Sequence, residues 1–470
     1  KEKLVATLKF LGAINGVTGS CYLLQTERVN VLLECGMFQG GRESDEANQE
    51  PFDFSVGKLD AVVISHAHLD HSGRLPMLVA DGYEKTIYMT KPTRDLLEIM
   101  LKDSASLQER DAEWQNKRLR RAGKHEIDPL YTTTDAEETL LLCEGIAYGQ
   151  RYSVAEDIDV CYRDAGHILG SAIVEIFIKE EGREKKLVFS GDLGNSEAAL
   201  LRDPEIVEEA DVLMLESTYG NRNHRSMDET LEEFEAIITE ASQNGGNILI
   251  PSFAVGRTQE IIFHLGELYQ KGKLRQQVVY LDSPMAIAAT EVYHRYQNVF
   301  NNEDKMAMHH ADSGSLHTFL PTLRYSQTTE ESMRINRIEE GIIVIAGSGM
   351  CNGGRIRHHL KHNLWRRNAH VVIVGYQAQG TPGRKLVDGT KELNMAGETI
   401  AVKAQIHTLG GFSAHASQSQ LMDWVGNFKK PYPQLFLVHG EDEAKTTLQE
   451  CLVKEGWSAG IPDYGETISF

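Results

Sequence analysis

The sequence predicts an α/β protein in which a domain of sheet packed on sheet is interrupted by a second domain, a parallel sheet flanked by helices. Three observations carry this. Short alternating or apolar runs broken by Gly-bearing turns recur from the start to about residue 192, the mark of stacked sheets. From about residue 211 the rhythm changes to fully apolar runs alternating with helical segments, as in a parallel sheet buried on both faces. After about residue 405 strand-like sequence returns, so residues 1–212 and 405–470 form the first domain and residues 213–404 the insertion. A chain of 470 residues accommodates this, since domains average roughly 150 residues.

In chain order, strands of the first domain are expected at 4–11, 21–25, 29–33, 61–65, 85–90, 158–163, 172–178 and 187–190. Residues 93–107 place apolar side chains at helical spacing. Residues 111–124 form a charged helix whose end carries Lys117, Arg118, Arg120, Arg121 and Lys124, read as a solvated helix end. The apolar strands of the second kind are expected at 212–215, 248–250, 278–281, 342–346 and 371–374. Helix starts are legible there: Ser226 with Glu229 three residues on makes a capping box, and Ser283 caps a helix with Pro284 at its first position. A strand at 435–438 belongs to the returning domain.

Composition excludes several classes. Hydrophobic residues make up 41% and charged residues 25%, with only 12 Pro, which rules out collagen-like, disordered and disulfide-dense chains. No stretch approaches the ~18 consecutive apolar residues of a membrane span, and residues 1–10 lack the apolar core of a signal peptide. With 48 basic and 68 acidic residues the net charge is −20, which argues against a protein wrapped all over in nucleic acid but permits a local basic groove. The six cysteines (Cys21, Cys35, Cys143, Cys161, Cys351, Cys451) form no CxxC and read as reduced thiols of a cytoplasmic protein.

The strongest chemical signal is Ser65-His66-Ala67-His68-Leu69-Asp70-His71, where an apolar strand runs into four candidate ligands. Imidazoles and carboxylates together suit zinc or a similar divalent ion. Residues two apart share a face, so His66 and His68 can grip one ion while Asp70 and His71 turn towards a second. Further ligands stand where other apolar strands end: His167 in Asp164-Ala165-Gly166-His167, Asp192 in Ser190-Gly191-Asp192, and His439 in Val438-His439-Gly440-Glu441. The small neighbours Gly166, Gly191 and Gly440 fit a backbone that passes close to an ion or substrate.

HxHxDH succeeded by a distant His and an SGD aspartate resembles the metallo-β-lactamase superfamily, and the chain beyond Asp192 resembles its β-CASP branch of nucleases. The resemblance implies an αββα metal-binding sandwich interrupted by a β-CASP domain. It implies that His66, His68 and His167 hold one zinc, that Asp70, His71 and His439 hold the other, and that Asp192 bridges them. Leu215-Glu216-Ser217-Thr218-Tyr219-Gly220 resembles the family's acidic motif, Phe412-Ser413-Ala414-His415 its second, and the His439 segment its third, which in members that act on RNA carries His. One departure is visible: Glu34, in Leu32-Leu33-Glu34-Cys35-Gly36, stands where the family has Asp, the residue expected to orient the ligand loop from behind.

The expected chemistry is hydrolysis of single-stranded RNA, internally or from an end, by a hydroxide shared between two zinc ions. His415 is the candidate acid for the leaving oxygen, since no metal role is left for it, and Glu216 orients it and keeps it protonated. Asp70 and Asp192 complete the catalytic set. For RNA contact the candidates are Ser348 and Arg355 in Gly347-Ser348-Gly349-Met350-Cys351-Asn352-Gly353-Gly354-Arg355, Arg257 after Ser252-Phe253-Ala254-Val255-Gly256, and Arg384. Tyr219 and Phe253 are candidates to stack on bases. No membrane partner is expected, and a homodimer is one assembly the sequence allows. Two other readings compete: a hydrolase of small esters, thioesters or lactams, and a catalytically silent RNA-binding subunit.

Overall fold

The computed structural model describes residues 6–180, 182–311, 314–395 and 397–470. Residues 4 and 5 of the first expected strand lie outside these. The chain divides into two compact units, one of residues 1–196, 203–223 and 415–470, the other of residues 197–202 and 224–414.

The first unit holds two seven-stranded sheets. One runs in the order Thr467–Ser469, Thr7–Phe10, Tyr22–Gln25, Asn30–Leu33, Ala61–Val63, Ile87–Thr90, Cys143–Ile146. The other runs Ala459–Gly460, Gln434–Val438, Val212–Glu216, Arg183–Phe189, Ala172–Glu180, Ile158–Asp164, Arg151–Ala155. Alternation along each strand explains the layering. In Ala172–Glu180, Val174, Ile176 and Ile178 enter a core shared with Leu8, Tyr22, Val31 and Val63 of the opposite sheet. Ile173 instead faces a second core with Leu421 and Trp424 of the helix Gln418–Val425 and Leu448 and Leu452 of the helix Asp442–Lys454. Aromatic rings stitch the inter-sheet core, Tyr22 lying 5.5 Å from Phe189 and Phe10 5.5 Å from Phe436. With the helices Leu75–Ala80, Lys91–Arg121 and Thr133–Leu142 beside the first sheet, this is the αββα sandwich.

The second unit is built on a six-stranded sheet ordered Leu323–Tyr325, Val278–Leu281, Ile342–Ala346, Ile248–Pro251, His370–Ile373, Gln405–Thr408, parallel throughout. Its helices include Met227–Asn244, Arg257–Gln270, Pro284–Arg295 and Ile356–Asn363. Ser226 and Ser283 cap two of them by accepting the N–H of Glu229 and Ala286.

The crossovers between units differ from the sequence-derived boundaries at 213 and 405. The strand Val212–Glu216 pairs parallel with both Arg183–Phe189 and Gln434–Val438, so it is a central strand of the first unit and the chain leaves that unit after Asn223. A strand buried on both faces is apolar throughout wherever it occurs, which is why its pattern matched the insertion. Conversely Gln405–Thr408 pairs with His370–Ile373 and belongs to the second unit. The two helices expected at 93–107 and 111–124 are one, Lys91–Arg121, because no Gly or Pro interrupts the turn between them.

Candidate metal centre

Each candidate ligand sits at or just past the end of a strand of the first unit. His66 and His68 come after Ala61–Val63, and Asp70 and His71 lie in the short helix Leu69–Ser72. His167 comes after Ile158–Asp164, Asp192 after Arg183–Phe189, and His439 after Gln434–Val438. Close approach is enforced by missing side chains. A Cβ on Gly191 would stand 2.8 Å from the Ala172 carbonyl oxygen, and one on Gly440 would stand 2.7 Å from that of Ser217.

The side chains converge. His66, His68, His167 and Asp192 bring ligand atoms within 4.8 Å of one another, as do Asp70, His71 and His439. Asp192 Oδ2 lies 3.5 Å from His66 Nε2, 3.3 Å from His71 Nε2 and 3.6 Å from His167 Nε2, so one carboxylate faces both groups. Asp192, Glu216 and His439 form a further grouping. Glu216, however, already accepts backbone N–H groups, from Leu193 at 2.6 Å and Thr218 at 3.3 Å.

Two observations fit this cluster to cations. His68 Nδ1 faces His66 Nε2 at 3.1 Å and His167 Nε2 at 3.2 Å, and His71 Nε2 faces His439 Nε2 at 3.2 Å. Neutral imidazoles cannot satisfy all of these contacts with protons, whereas lone pairs aimed at one point suit an ion. Asp192 Oδ1 is buried and makes no hydrogen bond, an orphaned acceptor that a cation would satisfy. Burial lowers His66 and His68, keeping them neutral, whereas at His71 burial is outweighed by Asp192, Asp70 and Glu34, which raise it well above the usual imidazole value, so an ion there would take the place of a proton. Burial opposes ionisation of Asp192 and Asp70, but His439 and His71 beside them outweigh it, holding Asp192 well below the carboxylate range and Asp70 at about 2.

The imidazole-bearing residues are positioned by a layer of hydroxyls the sequence only partly showed. His66 Nδ1 meets Ser65 Oγ at 3.0 Å and His439 Nδ1 meets Thr218 Oγ1 at 3.1 Å, while the Ser171 hydroxyl accepts the His167 backbone N–H at 3.0 Å. Ser65 and Thr218 lie inside quoted motifs; nothing in the pattern pointed to Ser171. Glu34 takes the orienting position in spite of its longer arm. Fully buried, it accepts the Ser65 N–H at 2.6 Å and Oγ–H at 3.0 Å and lies 2.5 Å from His71 Nδ1. Its backbone is left-handed, φ 62°, as is that of His439 at φ 51°, conformations costly to residues bearing a Cβ and found at functional sites.

His415 stands beside the cluster, its Nδ1 3.3 Å from Glu216 and 3.9 Å from Asp192 Oδ2, its ring 4.4 Å from that of His167. Burial opposes its charge, but Glu216 and Asp192 outweigh it and raise its pKa to about 9, so it carries a proton at neutral pH. The Tyr219 ring lies 6.1 Å from it.

The four RNA-contact candidates lie in the second unit, and two of them have internal partners. Arg257 is buried, ion-paired with Glu260 and 5.8 Å from the Phe412 ring centroid, so its guanidinium serves the fold. Arg355 donates to buried Asp282 at 2.7 Å and to the carbonyls of Ser326 and Gln327 at 3.0 and 2.7 Å, anchoring the Gly-rich loop rather than reaching out from it. Ser348 donates to Asn352 at 2.6 Å and accepts the Gly353 N–H at 3.2 Å. Arg384 is half-buried and pairs with Asp388 at 2.9 Å; its turn abuts the Gly-rich loop, where the Gly383 N–H donates to the Met350 carbonyl at 3.1 Å. Phe253 is exposed against Gly349.

Comparison with known proteins agrees with this centre. Residues 14–147 match the metallo-beta-lactamase superfamily, 258–386 the Beta-Casp domain, and 399–462 the Zn-dependent metallo-hydrolase RNA specificity domain. Ribonuclease TTHA0252 of Thermus thermophilus is 38% identical over 459 residues, 97% of this chain and 98% of that one. The chain belongs to the β-CASP family of metallo-β-lactamase-fold hydrolases. An RNase J-like protein of Methanocaldococcus jannaschii is 32% identical, covering 92% of each chain, and the transcription termination factor FttA of the same organism is 31% identical over 93% of this chain and 67% of its own. A protein of unknown function from Enterococcus faecalis shares the fold across 99% of this chain, with TM-score 0.54 and 14% identity. This β-CASP chain has six free cysteines, and none of its described helices is long and apolar enough to cross a membrane.

Proposed function

We propose that this β-CASP protein is a zinc-dependent ribonuclease that hydrolyses phosphodiester bonds of single-stranded RNA. The observation that carries the reading is Asp192 Oδ2 within 3.6 Å of three imidazole Nε2 atoms on a chain of this family. His66, His68 and His167 would hold one zinc, Asp70, His71 and His439 a second, with Asp192 shared. Bound there, the ions would supply Lewis acidity towards the phosphodiester and lower the pKa of water. The chain's own residues do the rest. His415, protonated at neutral pH, gives its proton to the leaving ribose oxygen. Glu216, fixed by two backbone N–H groups, holds the ring in place. Glu34 fixes the His71 tautomer by taking its Nδ1 proton in a hydrogen bond, leaving Nε2 free to ligate. Among the second unit's candidates, Ser348 and Arg384 remain for phosphate. The naming of the Thermus relative as a ribonuclease supports RNA as substrate.

The test is cleavage of single-stranded RNA labelled separately at its 5′ and 3′ ends. Wild type, a chelated sample restored with zinc, and His415→Ala are compared side by side, with zinc content measured in each. Metal-dependent cutting that falls about 10²–10⁴-fold in the variant, at unchanged zinc content, is expected; the two ladders separate internal from terminal attack. A zinc-loaded wild type that cuts no RNA sinks the reading in favour of a small-ester hydrolase or a silent RNA-binding subunit.

A further inference from the structure

The helix Lys91–Arg121 has two unlike halves. Up to Ala105 it is anchored by Leu96, Leu97, Met100 and Leu101; beyond, Ala112 alone is buried. At 100° per residue, Leu107, Arg110, Trp114, Lys117, Arg118 and Arg121 fall within one face of this exposed half, about 21 Å long at 1.5 Å per residue. Trp114 is 59% exposed and Leu107 46%, large apolar areas to leave in water on the same face as four cations. The Arg118 guanidinium stacks 4.9 Å over the Trp114 ring.

The other side of the same half meets the returning chain. The chain returns at Ile127, exchanging two hydrogen bonds of 2.8 Å with Asn116, and Arg120 on that side pairs with Glu126 at 3.4 Å. On the open face, no carboxylate lies within ion-pair distance of Lys117, Arg118 or Arg121 among the described residues. A chain of net charge −20 thus keeps a strip of unpaired cations around an exposed indole. Polyanion chemistry with stackable bases complements it: charge neutralisation draws the phosphates, and the indole and guanidinium planes receive bases of any identity. A solvated helix end accounts for the charges but not for Trp114.

We propose that this face is a binding surface for single-stranded RNA, a strip on the first unit that holds the strand beyond the bond being cut. The inference rests on the ribonuclease reading for its biological use, but its test does not need cleavage. Binding of an unstructured RNA of about 30 nucleotides to the whole protein is measured with metal chelated, across roughly 50 to 200 mM salt. Lys117→Gln/Arg118→Gln/Arg121→Gln should lose at least about tenfold in affinity at the lowest salt and flatten the slope of log K against log salt by about 2, three contacts at about 0.7 each. Trp114→Ala should lose about tenfold with the slope unchanged.

Variants with wild-type circular dichroism, affinity and salt slope would overturn the proposal. So would a triple variant that keeps RNA affinity but sediments as a smaller species than wild type, because the face would then be covered by a second copy of the chain. Cleavage of a short RNA is monitored in parallel. Strip-dependent binding without any cleavage leaves the surface standing and removes the nuclease reading, whereas cleavage with strip-independent binding removes the surface alone.

Discussion

Replacing Glu34 by Gln keeps the volume of a fully buried side chain while removing its charge and turning one acceptor oxygen into an NH₂ donor. In the native arrangement one carboxylate oxygen takes the Ser65 N–H at 2.6 Å and the other faces Ser65 Oγ at 3.0 Å and His71 Nδ1 at 2.5 Å. The amide oxygen of Gln can keep the Ser65 N–H, and its NH₂ can donate to Ser65 Oγ, so that side is nearly neutral. Towards His71 the NH₂ would meet an N–H. The ring escapes by moving its proton to Nε2, which lies 3.3 Å from Asp192 Oδ2 and 3.9 Å from Asp70 Oδ2 and gains a good acceptor there. The cost falls on metal binding, because the lone pair that faced the cluster is now an N–H. Loss of such an orienting partner costs about 10–100-fold in metal affinity, or roughly 1.4–2.7 kcal/mol. Competition of the protein with a chromophoric zinc chelator measures this: one of two zinc affinities should fall by that factor, while the His66, His68 and His167 group changes little. Glu34→Asp shortens the arm by about 1.5 Å, carrying the carboxylate out of hydrogen-bond range of both partners, and should fall between wild type and Gln. Zinc affinities within twofold of wild type in a folded Glu34→Gln protein would show that Glu34 does not set the His71 tautomer.

Two other outcomes rest on the same structure. Buried Asp282 is opposed by burial, but His359 at 2.6 Å, Ser332 at 2.6 Å and Arg355 at 2.7 Å outweigh it and hold its pKa at about 2 against an ordinary 3.8. A depressed carboxyl contributes stability above its unfolded value and loses it as pH falls through its folded value. Asp282→Asn should therefore show a roughly constant deficit above about pH 4, of order 2–3 kcal/mol, that narrows between about pH 4 and 2; a deficit independent of pH in denaturant titrations would refute the assignment. Removing metal should lower the melting temperature of the wild type, since an ion held at 100 times its dissociation constant stabilises by about 2.7 kcal/mol. Calorimetry with zinc and with chelator should differ by about 3–5 °C for each ion, and coincident curves would count against cation binding in the cluster.

The convergence of the candidate ligands was legible because they stand where apolar strands stop, and a strand end fixes position without needing distant partners. The role of Glu34 was not legible in the same way. Its reach depends on a left-handed backbone at φ 62°, and nothing local in Leu33-Glu34-Cys35 announces that conformation. The internal partners of Arg257 and Arg355 differ in how legible they were. Asp282 is 73 residues from Arg355, and no pattern connects them before the parallel sheet sets Val278–Leu281 beside Ile342–Ala346. Glu260, by contrast, is three residues from Arg257 on one helix, a spacing that pairs side chains routinely, so the ion pair was within reach of sequence reasoning.

The boundary placed at 213 differs from the strand pairing for a physical reason. Periodicity reports how many faces of an element are buried, not which sheet buries them, and Val212–Glu216 is buried on both faces between two parallel neighbours in the first unit. That central position matters for the chemistry. The strand delivers Glu216 from its last residue, with Leu193 N–H on one carboxylate oxygen and His415 at 3.3 Å, directly beside the strand whose end delivers Asp192. Sequence reasoning gives Glu216 the role of orienting His415 while counting it in the insertion, and the strand pairing puts it on the same sheet as the strands that deliver Asp192 and His439. On that sheet, between the strands that deliver Asp192 and His439, Glu216 stands 3.3 Å from the candidate acid His415, and the same strand order that buries Val212–Glu216 on both faces sets His415 against the candidate metal centre.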